Sequence, residues 1–422
     1  MGGRRTEDRP PRPDRRLPAT VWAAGLVSLL TDISTEMIVP VLPLFVTETL
    51  HAGAGALGLL EGVAESTASV LRVASGWFSD RIGRRKPLML AGYGFSNLVK
   101  PLFALSTSWI QVLGIRFLDR FGKGIRGAPR DALLAEVTPL EDRGRSFGLH
   151  RALDTLGAAL GPLLAAWLLA SAPGRYRTIF WVSAIPGTLA VLILLFAVHE
   201  PAPGRSARAV EGRKGEPAPS GRVSDLGGAF LWLLAAATLF SLGNSSDAFL
   251  ILKARSTGLD DSLVPLAYFL LNAVYSAASY PLGALSDRVG RFPLVLGGWV
   301  AFALIYAGFA LASRPPAIWF LFAVYGVYYA ATEGMLRALA ADLVPAPRRA
   351  TALGLLNGLT GVALLPASVV AGWLWQSVAP AAVFWFGAAT ALAAALLLLA
   401  GRRKLLAGVE AGAGGDRAAP SS

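Results

Sequence analysis

The sequence predicts an all-α membrane protein with about twelve transmembrane helices in two six-helix pseudo-repeat bundles. Its 422 residues are 54% hydrophobic and only 16% charged, whereas soluble domains contain about 25% charged residues. Many apolar runs are about 20 residues long, the length that a helix needs to cross a hydrocarbon core of roughly 30 Å. A polar stretch near the middle of the chain divides these runs into two sets.

Composition also predicts where the domains begin and end. Residues 1–18, rich in Arg and Pro, are expected to be a disordered cytoplasmic N-terminus. The two six-helix bundles occupy 19–199 and 227–401. The segment 200–226 is rich in Pro, Gly, Arg and Ser, which predicts a flexible cytoplasmic linker. Residues 402–422 are expected to be a disordered cytoplasmic tail. The predicted spans are roughly 19–46, 55–79, 87–106, 110–137, 146–170, 177–198, 227–252, 262–286, 293–312, 316–343, 350–376 and 380–401.

The basic residues lie mostly on one side of the predicted membrane. Most of the 39 Lys and Arg residues fall in the N-terminus, the linker, the tail and the loops on that same side. The loops on the opposite side contain Arg175, Arg177, Lys253, Arg255 and Arg314. Because cytoplasmic loops carry an excess of Lys and Arg, both termini are expected in the cytoplasm of a bacterial or archaeal cell, with the chain in the plasma membrane. The net charge of +12 therefore indicates orientation and not nucleic-acid binding.

The sequence predicts neither an enzyme nor a cofactor or metal site. The chain has no cysteine, and its three histidines are scattered at positions 51, 150 and 199. They have no metal-ligand spacing, and no nucleophile motif accompanies them. A membrane sensor would need a soluble signalling domain, and neither the linker nor the tails could fold into one.

The loop between the second and third spans carries the most specific motif. It reads Gly76-Trp-Phe-Ser-Asp-Arg-Ile-Gly-Arg-Arg-Lys-Pro87, and a weaker copy, Gly283-Ala-Leu-Ser-Asp-Arg-Val-Gly-Arg-Phe-Pro293, lies at the matching place in the second half. On these two copies the chain resembles the major facilitator superfamily of secondary transporters, over residues 20–400, and looks closest to prokaryotic members of unassigned substrate. The resemblance implies alternating access by a monomer, with a small-molecule site between parallel halves in the lipid bilayer.

The resemblance also implies that this loop is a latch that closes the outward-facing state. Gly76 would allow close helix approach, and Gly83 would permit a tight turn. Asp80 could accept hydrogen bonds from the N-terminus of the eleventh span. Glu136, near the cytoplasmic end of the fourth span, is expected to be a partner of the loop. The complete set of expected gating residues is Gly76, Asp80, Arg81, Gly83, Arg84, Arg85 and Glu136, with Asp287 and Arg288 in the weaker copy.

Ionisable residues inside the spans point to function, because each costs several kcal/mol in a bilayer unless it faces a cavity or a partner. Asp32 and Glu36 lie one helical turn apart in the first span and are the best candidates for protonation. Arg120, in Arg120-x-x-x-Gly124, resembles a motif tied to proton coupling in the family. The fourth span carries a polar stripe within an arc of roughly 140°, made up of Arg116, Asp119, Arg120, Lys123, Arg126, Arg130 and Asp131.

The remaining candidates would line a substrate cavity or form structural ion pairs, and the sequence leaves both alternatives open. In the second half, Glu333 and Arg337 are spaced for an intrahelical pair, and Tyr325, Tyr328 and Tyr329 would give an aromatic wall or simple packing. The substrate-cavity candidates are Asp119, Lys123, Arg126, Arg130, Arg151, Asp154, Asp247, Asn272, Tyr275 and Glu333.

Two functions are compatible with these residues. The fifth span contains Gly157-Ala-Ala-Leu-Gly161-Pro162, which resembles the antiporter motif of the family, although alanines replace its later glycine pair. With the carboxylates of the first span, it favours proton-coupled efflux, or antiport, of a small organic compound. The alternative is import or exchange of an organic anion such as a carboxylate, organophosphate or siderophore, based on the cations Lys123, Arg126 and Arg130. The expected partners are this solute, protons and lipid.

Overall fold

The computed structural model describes residues 17–82, 84–139, 142–200, 226–345 and 348–417, and within these ranges the chain is helical with no strand. The helices are α1 (Ala19–Ile38), α2 (Leu42–Leu44, continued by a π-helical turn, Phe45–Thr49), α3 (Ala54–Ile82), α4 (Lys86–Val99), α5 (Leu102–Leu105), α6 (Trp109–Val137), α7 (Arg143–Ser171), α8 (Tyr176–Ala197), α9 (Gly228–Gly243), α10 (Ala248–Ser256), α11 (Val264–Val289), α12 (Arg291–Leu311), α13 (Pro315–Asp342), α14 (Arg349–Ser377), α15 (Pro380–Ala400) and α16 (Arg402–Arg417).

The predicted all-α fold with about twelve membrane spans is confirmed. The pairs α1/α2, α4/α5 and α9/α10 each form one interrupted span, so that α1 to α15 provide the expected two sets of six. Among the described residues, eight spans are long and apolar enough to cross a membrane. The others are α3, α6, α11 and α13, of which α3 and α6 carry most of the intramembrane charges.

Three of the predicted spans are broken inside the membrane. The first breaks at 39–41, where Pro40 cannot continue the helix, and Pro43 lies in the first turn of α2. The third breaks before Pro101, which the sequence prediction missed. The seventh breaks at 244–247, the segment Asn-Ser-Ser-Asp, whose short polar side chains compete with the backbone for hydrogen bonds. The first and seventh spans are equivalent in the repeat, so both halves have a broken helix in the same position.

The two halves are built by the same helix pairings. In the first half, α1 packs against α7 and α8, α6 packs against α3 and α4, and α4 packs against α8. In the second half, α9 packs against α14 and α15, α13 packs against α11 and α12, and α12 packs against α15. This is the internal repeat that the duplicated loop motif predicted.

Two pairs of long helices join the halves, α3 with α14 and α7 with α11. In the first pair the backbones approach so closely that a side chain at Gly58 would overlap the carbonyl oxygen of Ser368. Further along α3, the Ser66 hydroxyl donates to the carbonyl oxygen of Gly361 over 3.0 Å. Small residues allow this close contact between membrane helices.

The halves are closed against each other at one end of the bundle. We call the end that carries residues 17 and 417 the termini end, and the opposite end the distal end. At the distal end, the Gly55 amide donates to Gln376 Oε1 over 3.2 Å, and the Tyr176 hydroxyl donates to Asp261 over 2.5 Å. The apolar residues of α2 are fully buried there, and α2 packs against α10. The first half has a separate apolar cluster around Val27 at the termini end. The large apolar cluster that contains residues of both halves includes α2 and α10 at the distal end.

The C-terminal tail differs from the sequence prediction, because residues 402–417 form the helix α16 instead of a disordered segment. Leu405 is fully buried, and the Lys404 ammonium lies 5.2 Å from the centre of the Trp232 ring on α9. Apolar packing of Leu405 and Val409 and one cation–π contact thus hold a helix whose Gly and Ala content suggested disorder. The expected disorder of the N-terminus and of the linker falls almost entirely on 1–16 and 201–225, which lie outside the described residues.

Candidate functional site

Two adjoining cavities lie between the halves. The central cavity has a volume of about 270 Å³ and is lined by α1, α3 and α6 from the first half and by the α9/α10 break, α11, α13 and α14 from the second. The aromatic cavity, of about 530 Å³, lies mainly in the second half and is lined by Phe240, Trp299 and Tyr328 among others. Both cavities share wall residues, among them Glu65, Asn244 and Tyr329, so they adjoin one another.

The first-half wall of the central cavity carries paired and unpaired cations. Arg116 on α6 bonds Glu61 on α3 at 3.2 Å, and one turn later Arg120 bonds Glu65 at 3.2 Å. Lys123, a further turn along, makes no ion pair within 4.0 Å among the described residues. The sequence placed Arg116, Arg120 and Lys123 on one polar stripe but did not assign Glu61, Glu65 or Arg116 to the cavity. Their pairing depends on the packing of α3 against α6, which no local pattern shows.

The second-half wall is acidic and aromatic. Asp247 lies at the break between α9 and α10 and accepts hydrogen bonds from the hydroxyls of Tyr329 at 3.1 Å and Tyr325 at 3.3 Å. The Ser246 hydroxyl accepts from the Ala248 amide over 3.3 Å and so satisfies the first free amide of α10. Of the three tyrosines that the sequence singled out on α13, Tyr329 lines both cavities. Tyr325 is fully buried in an aromatic cluster, and both sequence alternatives, wall and packing, therefore occur.

A pair of carboxyl groups lies beside the central cavity. Asp32 on α1 and Asp154 on α7 lie within hydrogen-bonding distance of each other. Asp154 also accepts from the Ser28 hydroxyl at 2.7 Å and from Arg151 at 3.4 Å. Two carboxylates in contact repel, and a proton shared between them removes the repulsion. Glu36, one turn after Asp32, lines the cavity itself.

The glycines of the α7 motif bring these two helices together. A side chain at Gly157 would overlap the carbonyl oxygen of Leu29 and crowd Asp32, and one at Gly161 would overlap Glu36 and its neighbours on α1. The motif therefore sets the distance between α7 and α1 at the two carboxylates that the sequence selected as protonation candidates.

A chain of polar contacts leads from this carboxyl pair to the second half. Arg151 donates to the Tyr275 hydroxyl over 2.9 Å, and this hydroxyl donates to Glu333 over 2.8 Å. Glu333 also bonds Arg337 at 3.2 Å, the intrahelical pair that the sequence predicted. The contacts thus run from Asp154 on α7 through α11 to α13, across the boundary between the halves.

The other charges of the α6 stripe lie away from both cavities. Asp119 accepts from the Ser96 hydroxyl on α4 over 2.5 Å, and the guanidinium of Arg126 lies 4.4 Å from the centre of the Tyr93 ring, also on α4. Arg130 bonds its neighbour Asp131 at 2.9 Å, as the sequence alternative of mutual neutralisation allowed. Of the stripe cations Lys123, Arg126 and Arg130, the central cavity is lined by Lys123 alone. Asn272 donates to the carbonyl oxygen of Tyr268 on its own helix and is not a lining residue of either cavity.

At the termini end, the loop motif provides an arginine that pairs with the end of α6. Arg85 donates to Glu136 over 3.2 Å, and the Arg85 amide donates to the Glu200 carboxylate. The second half repeats the pairing with Arg291 and Asp342, which the sequence prediction missed. Arg84 and Arg288 are exposed. Gly83 lies outside the described residues, as do the surroundings of Gly76 and the side chains of Asp80, Arg81 and Asp287.

Comparisons with known proteins agree with this architecture. The sequence model of the Major Facilitator Superfamily matches residues 24–253 and 231–420. An uncharacterized MFS-type transporter of Methanocaldococcus jannaschii is 35% identical, over 92% of this chain and 96% of the relative. The cis,cis-muconate transport protein of Acinetobacter baylyi is 26% identical over 74% of this chain and 77% of the relative. The crystal structure of the nucleoside transporter NupG has the same fold, with a TM-score of 0.73 at 15% identity, covering 90% of this chain and 99% of that one.

Proposed function

Because the chain belongs to the Major Facilitator Superfamily, and is therefore a multi-pass membrane transporter and not an enzyme, we propose that it exports a small organic compound by proton-coupled antiport. The observation that carries this proposal is the contact between Asp32 and Asp154 beside the central cavity. A proton held by this pair is positioned to be released on one side of the membrane and replaced from the other as the transporter alternates between its two open states. The proposal places both termini in the cytoplasm, so that the closed distal end faces outwards.

Arg151 couples proton binding at this pair to the contact between the two halves. With the pair deprotonated, two negative charges attract this arginine, and with a proton bound the attraction to Asp154 weakens. Arg151 also donates to Tyr275 on the second half, so a change at the pair alters a contact between the halves. The charged and titratable groups that act on the pair are Glu36 on α1, Lys100 at the end of α4, Lys123 and Arg130 on α6, and His150 and Arg151 on α7. At the termini end, we propose that Asp80, Arg81, Arg84 and the Arg85–Glu136 pair form the latch of the cycle.

Antiport is favoured by the balance of charge in the central cavity. Its walls carry four carboxylates and three cations, namely Glu36, Glu61, Glu65, Asp247, Arg116, Arg120 and Lys123. A proton on the Asp32–Asp154 pair and a cationic group of the solute beside Asp247 both reduce this negative charge, so each weakens the binding of the other, and this negative coupling favours exchange. An anionic solute would instead bind better to the protonated protein, which produces cotransport.

Import or exchange of an organic anion is the second candidate. Lys123 faces the cavity without an ion pair within 4.0 Å among the described residues, which leaves its ammonium group available to an anion. The relative named as a cis,cis-muconate transport protein makes carboxylates a reasonable class to include in any test.

Flux into proteoliposomes tests the proposal. Purified protein would be reconstituted into liposomes with an acidic interior, and accumulation of organic cations, zwitterions and anions would be measured, with protein-free liposomes to subtract passive trapping of bases. The proposal predicts protein-dependent accumulation that Asp32→Asn abolishes. Asp260→Asn, at an exposed position at the distal end, is the matched control and should accumulate normally. Accumulation only in liposomes with an alkaline interior, or accumulation that Asp32→Asn leaves unchanged, would contradict antiport.

A further inference from the structure

The two walls of the central cavity have complementary unsatisfied groups. We infer that this cavity binds a zwitterionic solute, whose anionic group contacts Arg120 and Lys123 on the first half and whose cationic group contacts Asp247 on the second. The inference rests on the proposed transport function and names the class of its solute.

The first-half wall has donors with no acceptor. The Arg120 side chain is 4% exposed, and Nη2 bonds Glu65, while Nε and Nη1 are buried with no partner among the described residues. A buried donor without an acceptor is unfavourable, and a charged one more so. Lys123, one turn away, lines the same cavity and offers three further donors. A carboxylate is the ligand that two such cations fit, because its two oxygens can accept from both.

The second-half wall has an acceptor with no cation. Asp247 receives two tyrosyl hydroxyls, but it makes no ion pair within 4.0 Å in the part of the chain that the structure describes. The nearby charges that act on it, Glu65 and Glu36, are also acidic. A solute ammonium group would supply the missing positive charge. The faces of Tyr268 and Tyr329, which line this wall, offer it favourable cation–π contacts.

The adjoining aromatic cavity indicates what the rest of the solute is like. It opens beside Tyr329, and one part of its wall is apolar, with Phe240, Trp299, Leu336 and Leu364, whereas other parts are polar, with Glu333 and Arg337 among them. An apolar or aromatic side chain of the solute that packs against the apolar part of this wall would be removed from water, which is favourable. The solute class is therefore an amino acid or close analogue with a large apolar side chain. Since its two charged ends would contact different halves, the bound solute would favour the arrangement in which the halves are together.

Binding of three matched compounds tests this inference. L-phenylalanine carries both charges, its methyl ester carries only the ammonium group, and N-acetyl-phenylalanine carries only the carboxylate. Their dissociation constants would be measured by calorimetry on the full chain in detergent, at one pH. We expect phenylalanine to bind at least about tenfold more tightly than either derivative, because each derivative leaves one wall unsatisfied.

Two variants assign the charged ends. In Lys123→Met, the preference for phenylalanine over its ester should disappear. In Asp247→Asn, the preference for phenylalanine over the N-acetyl compound should disappear. Lys404→Met on α16 and Asp260→Asn in the exposed loop are matched controls that should keep both preferences. Lys123→Arg retains the charge and should keep the first preference, which distinguishes a lost contact from a misfolded protein.

Each other outcome would overturn the inference. An ester that binds as tightly as phenylalanine would indicate a simple organic cation, and an equally tight N-acetyl compound would indicate an organic anion. No binding of any of the three compounds would remove the amino-acid class. The readout involves no proton gradient, so the inference can fail while gradient-driven accumulation of another compound persists, and the proposed antiport can fail while these preferences persist.

Discussion

Asp154 on α7 lies within hydrogen-bonding distance of Asp32 on α1 and also bonds Arg151 on its own helix. This one residue therefore links a pair of carboxyl groups next to the central cavity to the polar chain that ends on the second half. Such a position is what proton coupling requires, because a proton that binds at the pair changes a contact between the halves. The following predictions test separate parts of this arrangement.

The two carboxyl groups should act as one proton site. Asp32→Asn and Asp154→Asn should each abolish accumulation driven by a pH gradient, and the double variant should be no worse than either single variant, because groups that act as a unit are not additive. Gradient-driven accumulation in proteoliposomes measures this. Solute exchange without a gradient should continue in all three variants. Independent, additive losses would contradict a shared site.

The α7 glycine motif should be sensitive to a single added methyl group. Gly157→Ala forces a Cβ against the Leu29 carbonyl and Asp32, and overpacking of this kind costs roughly 1–3 kcal/mol. We expect a lower melting temperature by intrinsic tryptophan fluorescence and weaker proton coupling. Gly148→Ala on the same helix has no neighbour within 4 Å of the new atom and should leave both unchanged. Equal melting temperatures for the two variants would show that α1 and α7 are not tightly packed there.

The Tyr275 hydroxyl should hold the halves together near the termini end. Tyr275→Phe removes the group that joins Arg151 to Glu333, so the cavity should be open for a larger fraction of time. The chain contains no cysteine, so a single Leu336→Cys in the aromatic cavity can report access to a water-soluble thiol reagent. Labelling should be several-fold faster with Tyr275→Phe and unchanged with Tyr280→Phe, whose ring is 86% exposed on the same helix. Equal rates would mean that the bridge does not restrain opening.

Lys100 should stabilise the first half as a buried cation. Its side chain is 1% exposed, donates to Ser34 at 2.8 Å and Thr35 at 2.9 Å, and interacts electrostatically with Asp119. Removal of one buried charge from an interacting group costs about 3–5 kcal/mol, so Lys100→Met should unfold at a distinctly lower temperature. Adding Asp119→Asn should restore part of the loss. If the melting temperature of the double variant falls by the sum of the two single effects, the two charges are not coupled.

The sequence predicted the features that depend on local composition and on the repeat. The spans and the division into halves follow from hydropathy and from the polar stretch in the middle of the chain. Asp32 and Glu36 were recognisable as candidates because a carboxylate inside a bilayer is unfavourable unless it faces a cavity or a partner. The Gly157 motif was recognisable from its spacing, although its contact with α1 was not.

The features that depend on which helices are neighbours could not be predicted. Asp154 is more than a hundred residues from Asp32, and only the packing of α7 on α1 makes them partners. Helical periodicity placed Lys123 and Arg126 on one face of α6, but α4 covers part of that face, so Arg126 contacts Tyr93 and Lys123 reaches the cavity. The break at 244–247 was missed because hydropathy alone does not distinguish a polar segment within a continuous helix from one that interrupts it.

The shared proton can be measured directly, without knowledge of the solute. Infrared spectra near neutral pH, recorded for the wild type and for single variants, detect protonated carboxyl groups by their carbonyl stretch. The account predicts a protonated-carboxyl band in the wild type and in Asp260→Asn that is missing from Asp32→Asn and from Asp154→Asn alike, because either change removes one partner of the pair. A band that persists in both variants, or that disappears in only one of them, would contradict a proton shared between Asp32 and Asp154.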